Sequence, residues 1–189
     1  MSDIAENIQE SIEQTGKNKI NSRVALLVAI TATFMALCNV KDGNIVQSMS
    51  QSQAHSIDAW SYFEAKSTKQ SIVENTLELL KLQNNPANAD IIKKYEEQIS
   101  RYDKEKAEIK AQAEGFQKEY DDTNLFDDQF DMTDALLTIA IAMLGITSLT
   151  QKKWLLYFAA AVSATGIILG ITAFLKISLH SDLMSKILG

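Results

Sequence analysis

Hydrophobic residues along the chain fall into three apolar blocks and one long periodic stretch, and the two patterns predict different elements. From Trp154 to Leu175 the sequence WLLYFAAAVSATGIILGITAFL holds no ionisable residue. As a helix it would extend about 33 Å, enough to cross the hydrocarbon core of a bilayer. A chain of 189 residues has too little protein to surround such a helix, so the block predicts a transmembrane helix over 154–175. Two shorter blocks, Val24 to Val40 and Ala135 to Thr150, lie near the lower length limit for a span and predict membrane helices over 23–40 and 135–150. The turn Gln151 to Lys153 is so short that the second and third spans must be antiparallel neighbours.

Between the first two blocks, residues 41–134 are rich in charge and read as a water-facing body. No proline interrupts the run from Gly43 to Gln83, which predicts one helix over 44–83. NNPAN at Asn84 to Asn88 carries the single proline of the chain and reads as a turn. A second helix follows over 89–121. There Ile92, Tyr95, Ile99, Tyr102, Lys106, Ile109, Ala113, Phe116 and Tyr120 keep heptad spacing. The first helix offers a poorer seam at Val46, Met49, Gln53, Ser56, Trp60, Phe63, Ser67 and Gln70. Residues 121–134, DDTNLFDDQFDMTD, read as an acidic extended connector. The expected fold is therefore an all-α integral membrane protein, with an extramembrane antiparallel helical hairpin of coiled-coil character between the first and second of three spans.

The ends are less regular. Residues 1–22 predict a short amphipathic helix with Ile4, Ile8 and Ile12 on one face, broken at Gly16, and residues 176–189 predict an interfacial tail. The acidic character of the first segment argues against a cleaved secretory leader. In the third span Ala159, Ser163, Gly166, Gly170 and Ala173 form a ridge of small side chains, a surface on which helix backbones approach closely. It is expected to serve helix packing and a homo-oligomer interface.

Charge adds direction. Lys17, Lys19 and Arg23 share one side with Lys152 and Lys153, so the positive-inside bias predicts a cytoplasmic amino terminus and a periplasmic hairpin in a bacterial inner membrane. A net charge of −6 excludes a nucleic-acid partner. The expected partners are the lipid bilayer, further copies of the chain, and another envelope protein reached through the hairpin. The lone Cys38 excludes an internal disulfide.

Candidate chemistry is sparse. His55 has Asp58 one turn away, but a histidine on a charged helix is more often a solvated residue; His180 falls in the tail. Neither has a second histidine or a cysteine at zinc-ligand spacing. Asp121, Asp122, Asp127, Asp128, Asp131 and Asp134 make an acidic cluster that lacks the glycine and ligand order of a calcium loop. These considerations predict no catalytic residues, no cofactor and no metal. The apolar blocks hold no ionisable residue, whereas Asn39, Thr31, Thr138, Thr147, Thr165 and Thr172 suit either helix packing or a pore. The expected function is a non-enzymatic membrane scaffold or accessory subunit, homo-oligomeric, that presents its hairpin to partners. The alternative is an oligomeric channel with an acidic helical vestibule.

The run SIDAWSYFEAKSTKQ (Ser56 to Gln70), the helix KYEEQISRYDKEKAEIKAQAE (Lys94 to Glu114) and QKKWLLYF (Gln151 to Phe158) together resemble the bacterial membrane proteins grouped as domain of unknown function 4337. The resemblance covers roughly Ser22 to Leu175. Its most specific elements are Trp60, Tyr62, Ala65, Lys66 and Lys69 with the basic turn before Trp154. Phe63 and Glu64 depart from it, standing where the family carries tyrosine and glutamine. It implies an inner-membrane, mostly helical protein and supplies no activity or catalytic residue.

Overall fold

The computed structural model describes residues 2–177, except the side chains of residues 2–12, 17 and 18. Every element in it is helical: α1 (Ser2–Leu82), a single 3-10 turn (Pro86–Asn88), α2 (Ala89–Thr150) and α3 (Lys153–Phe174). Three helices are long and apolar enough to cross a membrane by length and composition. Two compact units share the chain, Met1–Val46 with Asn124–Gly189, and Gln47–Thr123.

Two expected boundaries are not present. Gly16 lies inside α1 without breaking it, and α1 also runs on through Gly43, since glycine weakens a helix by only about 1 kcal/mol and does not clash as proline does. Residues 121–134 are helical within α2 and not an extended connector. That acidic segment has no glycine or proline, and it sets Gln129, Phe130, Thr133 and Leu137 at helical spacing on a buried side. Burial of that side outweighs the modest helix propensity of aspartate. The isoleucine stripe at Ile4, Ile8 and Ile12 concerns side chains outside the described set, and the tail from Ser178, His180 included, lies outside the described residues.

In the first unit, α3 packs between the α1 and α2 segments. Ile20, Val24, Leu144, Leu156 and Ala159 make one buried cluster, with Leu27, Val28 and Met143 against it. Beyond it Phe174 takes the edges of Phe34 and Phe130, with ring centroids 6.4 and 5.2 Å away. Phe130 is itself fully buried.

In the second unit, α1 and α2 pair in opposite directions on either side of the turn. Ser56 Oγ donates to the Ala113 carbonyl at 3.2 Å, Gln70 Nε2 to Asp103 at 2.8 Å, and Lys81 meets Glu96 at 2.7 Å. Partners on α2 thus fall in number as those on α1 rise. Asn85 caps the 3-10 turn through its side chain, which accepts from the Ala87 amide at 3.0 Å.

Candidate functional site

The small-residue ridge of α3 is buried along its length. A β-carbon at Gly166 would stand 2.8 Å from Leu137 Cδ2 and 3.2 Å from Leu136 Cβ, and one at Gly170 would stand 2.7 Å from Phe34 Cε1 and 3.0 Å from Thr133 Cγ2. Ser163 and Thr31 share a 2.7 Å hydrogen bond between α3 and α1. Ala159, Ser163, Gly166, Gly170 and Ala173 therefore pack against α1 and α2 of the same chain. The ridge thus serves helix packing within the chain.

Polar groups in this unit mostly satisfy one another. Gln129, buried on α2, donates from Nε2 to the Leu169 carbonyl at 3.1 Å and to Thr172 Oγ1 at 2.8 Å, closing α2 onto the last turn of α3. Thr133, Thr147 and Thr165 donate to carbonyls one turn back. A hydroxyl bound in this way costs its helix little and exposes no donor.

The exception is a group of carboxylates. Asp42 on α1 faces Asp127, Asp131 and Asp134 on α2. One oxygen each of Asp42, Asp127 and Asp134 is buried without a hydrogen-bond partner. Burial, followed by the charges of Asp42 and Asp131, raises Asp127 to about 6, and a hydrogen bond to Asp42 adds to the effect. Asp42 is also raised, chiefly by burial and then by the charge of Asp131. Asp131 reaches solvent on one side, yet desolvation on the other, with Asp128 and Asp134, raises it too. Such a group holds a proton where an isolated aspartate would not. Among the described residues, no three His, Cys, Asp or Glu side chains are placed to hold a metal ion.

In the second unit the predicted seam residues separate into two sets. Tyr102, Ile109 and Ala113 are buried, and Ile92, Tyr95, Ile99, Lys106, Phe116 and Tyr120 are half-buried. On α1, Met49, Ser56 and Gln70 are buried and Phe63 half-buried, but Gln53 and Trp60 lie outside. The second row of the seam holds Ser52, Ala59 and Lys66, each one position before the expected Gln53, Trp60 and Ser67. Trp60 meets Phe63 edge to face at 5.6 Å, and Tyr62 is about half exposed.

Lys66 is the residue that spacing alone misassigns. Its ammonium pairs with Glu105 and stands 5.3 and 5.4 Å from the ring centres of Tyr62 and Tyr102. The hydrogen bond to Glu105 raises the lysine and lowers the glutamate from their ordinary values. The tyrosines one turn before Lys66 and at the α2 seam were its sequence signal. His55 is exposed and stacks at 5.2 Å on Phe116, with no carboxylate or second histidine bonded to it in the described contacts. A shallow 290 Å³ depression at the turn, floored by Leu80, Pro86 and Ile92, contains no converging charged groups beyond Lys81.

These features define an all-helical protein with three helices suited to crossing a membrane and a second, charge-rich helical unit. Residues 20–176 match the family model described as domain of unknown function 4337, and the chain belongs to that family. No curated protein and no solved structure shows significant similarity to it.

Proposed function

We propose that the protein is a non-enzymatic scaffold or accessory subunit of the bacterial inner membrane, homo-oligomeric, with a cytoplasmic amino terminus. Residues 41–134 would stand in the periplasm largely as an antiparallel hairpin of coiled-coil character, presented to protein partners. The observation that carries the membrane assignment is the apolar outer surface of the first unit. Leu26, Ile30, Leu37, Ile139, Ile146, Tyr157, Phe158, Ile168 and Ile171 point outward, while Thr31, Gln129, Thr133, Thr147 and Ser163 are inside beside Phe130, Leu137 and Leu144. Water disfavours that arrangement and a bilayer favours it.

A binding role follows from what the ionisable groups do. In the hairpin they pair with one another, as Lys66 with Glu105 and Lys81 with Glu96, and no nucleophile has a base beside it. Binding rather than turnover suits such a surface. Resistance to alkaline extraction from membranes, with protease access to the hairpin in spheroplasts, is the expected result. A protein that stays in the supernatant without detergent would refute the membrane assignment. Replacement of His55 by alanine, and of Asp127 with Asp128 by asparagine, should leave phenotypes of the intact protein unchanged unless catalysis is involved.

The carboxylates around Asp42 and Asp127 favour a second reading, a cation channel with an acidic mouth. Against it, Thr147, Thr165 and Thr172 donate to carbonyls of their own helices and Thr31 bonds to Ser163, so these hydroxyls already have partners within the chain. Planar-bilayer recording separates the two readings, and voltage-dependent unitary currents would favour the channel.

A further inference from the structure

In the second unit α1 carries apolar side chains on both of its sides. The side turned to α2 buries Ser52, Ser56 and Gln70 beside Met49 and Leu77. Its far side leaves Ile57, Ile72, Leu79 and Leu82 exposed by 59, 61, 62 and 81 %, with Trp60 along the same stripe. From Ile57 to Leu82 the stripe advances in steps of three and four for about 39 Å of helix, with Glu64 and Glu78 the charges along it and Ser61, Thr68, Ser71 and Asn75 the polar residues between. By contrast, the outer side of α2 is dense with charge, from Lys94 and Arg101 to Glu108 and Glu114. Large apolar side chains exposed along one helix face in this way mark an interaction surface.

We infer that this stripe docks against the same stripe of a second copy of the chain, the two α1 helices lying parallel about a two-fold axis. This rests on the proposed membrane seat, which brings both copies out of one bilayer in the same direction. Near such an axis each residue meets its own equivalent, so an isologous contact tolerates apolar side chains and penalises charge. The α1 stripe meets that condition at its five large apolar side chains, and Glu64 and Glu78 are the charges that oppose themselves. The α2 face fails it, since like charges would stand opposite one another. The ridge of α3 is covered within the chain and does not compete with this stripe.

Disulfide mapping in native membranes tests the inference, in a Cys38→Ala background that removes the single native thiol. Ile72→Cys and Leu79→Cys should each give a disulfide-linked dimer on mild oxidation, and Glu108→Cys should not. Equal yields at all three positions, no dimer at Ile72 and Leu79, or adducts there only with a foreign protein would overturn it. Leu79→Lys should weaken self-association in detergent at least tenfold with helicity unchanged, and an unchanged dimer would also overturn it. Failure of the membrane assignment is read separately, from the fraction in which the protein sediments. A soluble chain that still links at Ile72 and Leu79 would keep the docking face and lose the bilayer.

Discussion

Gly170 lies so close to the ring of Phe34 that a β-carbon on it would stand 2.7 Å from Cε1. The contact joins α3 to α1, and Thr133 of α2 closes it from the other side. Gly170→Ala must therefore push apart three helices, and an overpacked core of this kind loses about 1–3 kcal/mol. Gly166→Ala, against Leu137 Cδ2, meets a more flexible neighbour and should lose less. Gly115 is the control: nothing lies within 4 Å of a β-carbon there, so Gly115→Ala should gain about 0.5–1 kcal/mol of helix stability. Thermal unfolding in one detergent ranks the three.

Thr31 and Ser163 offer a second measurement on the same contact. Removing one hydroxyl leaves the other buried without a partner, at a cost of about 1–3 kcal/mol. Thr31→Val and Ser163→Ala should each destabilise, whereas the double variant should come close to the wild type. Additive losses would show that packing, and not the 2.7 Å hydrogen bond, dominates there.

The carboxylates predict a pH dependence of definite sign. Asp127 is raised from 3.8 to about 6, so between those values the folded chain holds a proton that the unfolded chain releases. Its contribution is fully present below about pH 4 and is lost as pH rises through about 6. Asp42 and Asp131 shift in the same direction. Unfolding midpoints should thus fall from pH 5 to pH 7.5, and Asp127→Asn should flatten the profile. At pH 7.5 that variant should exceed the wild type by about 1 kcal/mol, after allowance for solvent screening of a half-exposed group. An Asp127→Asn profile that keeps the wild-type slope would place the shared proton elsewhere.

The apolar blocks and the turn at Pro86 were legible because each depends on one stretch of chain: length and polarity decide a block, and proline with asparagine decides the turn. The α2 seam was legible for a similar reason, since its large apolar residues repeat at one phase. On α1 both neighbouring phases contain polar residues, and the large Trp60 drew the reading to the wrong row; only the partner helix selects Lys66 over Ser67. The charge of residues 121–134 concealed the helix that Phe130 and Thr133 stabilise by tertiary burial. Asp42 and Asp127 are distant in sequence, so nothing local could disclose their meeting.

The ends of the helices give a final prediction. α1, α2 and α3 are each followed by a left-handed residue that is not glycine: Asn84 at φ 47°, Gln151 at 56° and Lys176 at 56°. At Lys176 the turn is a Schellman motif, with the Ile177 amide donating to the Thr172 carbonyl at 2.9 Å and the Lys176 amide to Ala173 at 3.0 Å. A β-carbon in this region costs about 1 kcal/mol, which asparagine partly escapes by local hydrogen bonding and lysine does not. Gln151 has a compensation of its own, since its side-chain Nε2 donates to Asn21 Oδ1 at 2.8 Å. Lys176→Gly should therefore stabilise the first unit by about 0.5 kcal/mol, the relief of strain exceeding the lost attraction of the lysine for the helix carboxyl end. Asn84→Gly should change little and Gln151→Gly should destabilise slightly. Unfolding midpoints in that order would establish that backbone strain at Lys176, and not its charge, governs the end of α3; a lower midpoint for Lys176→Gly would reverse the assignment.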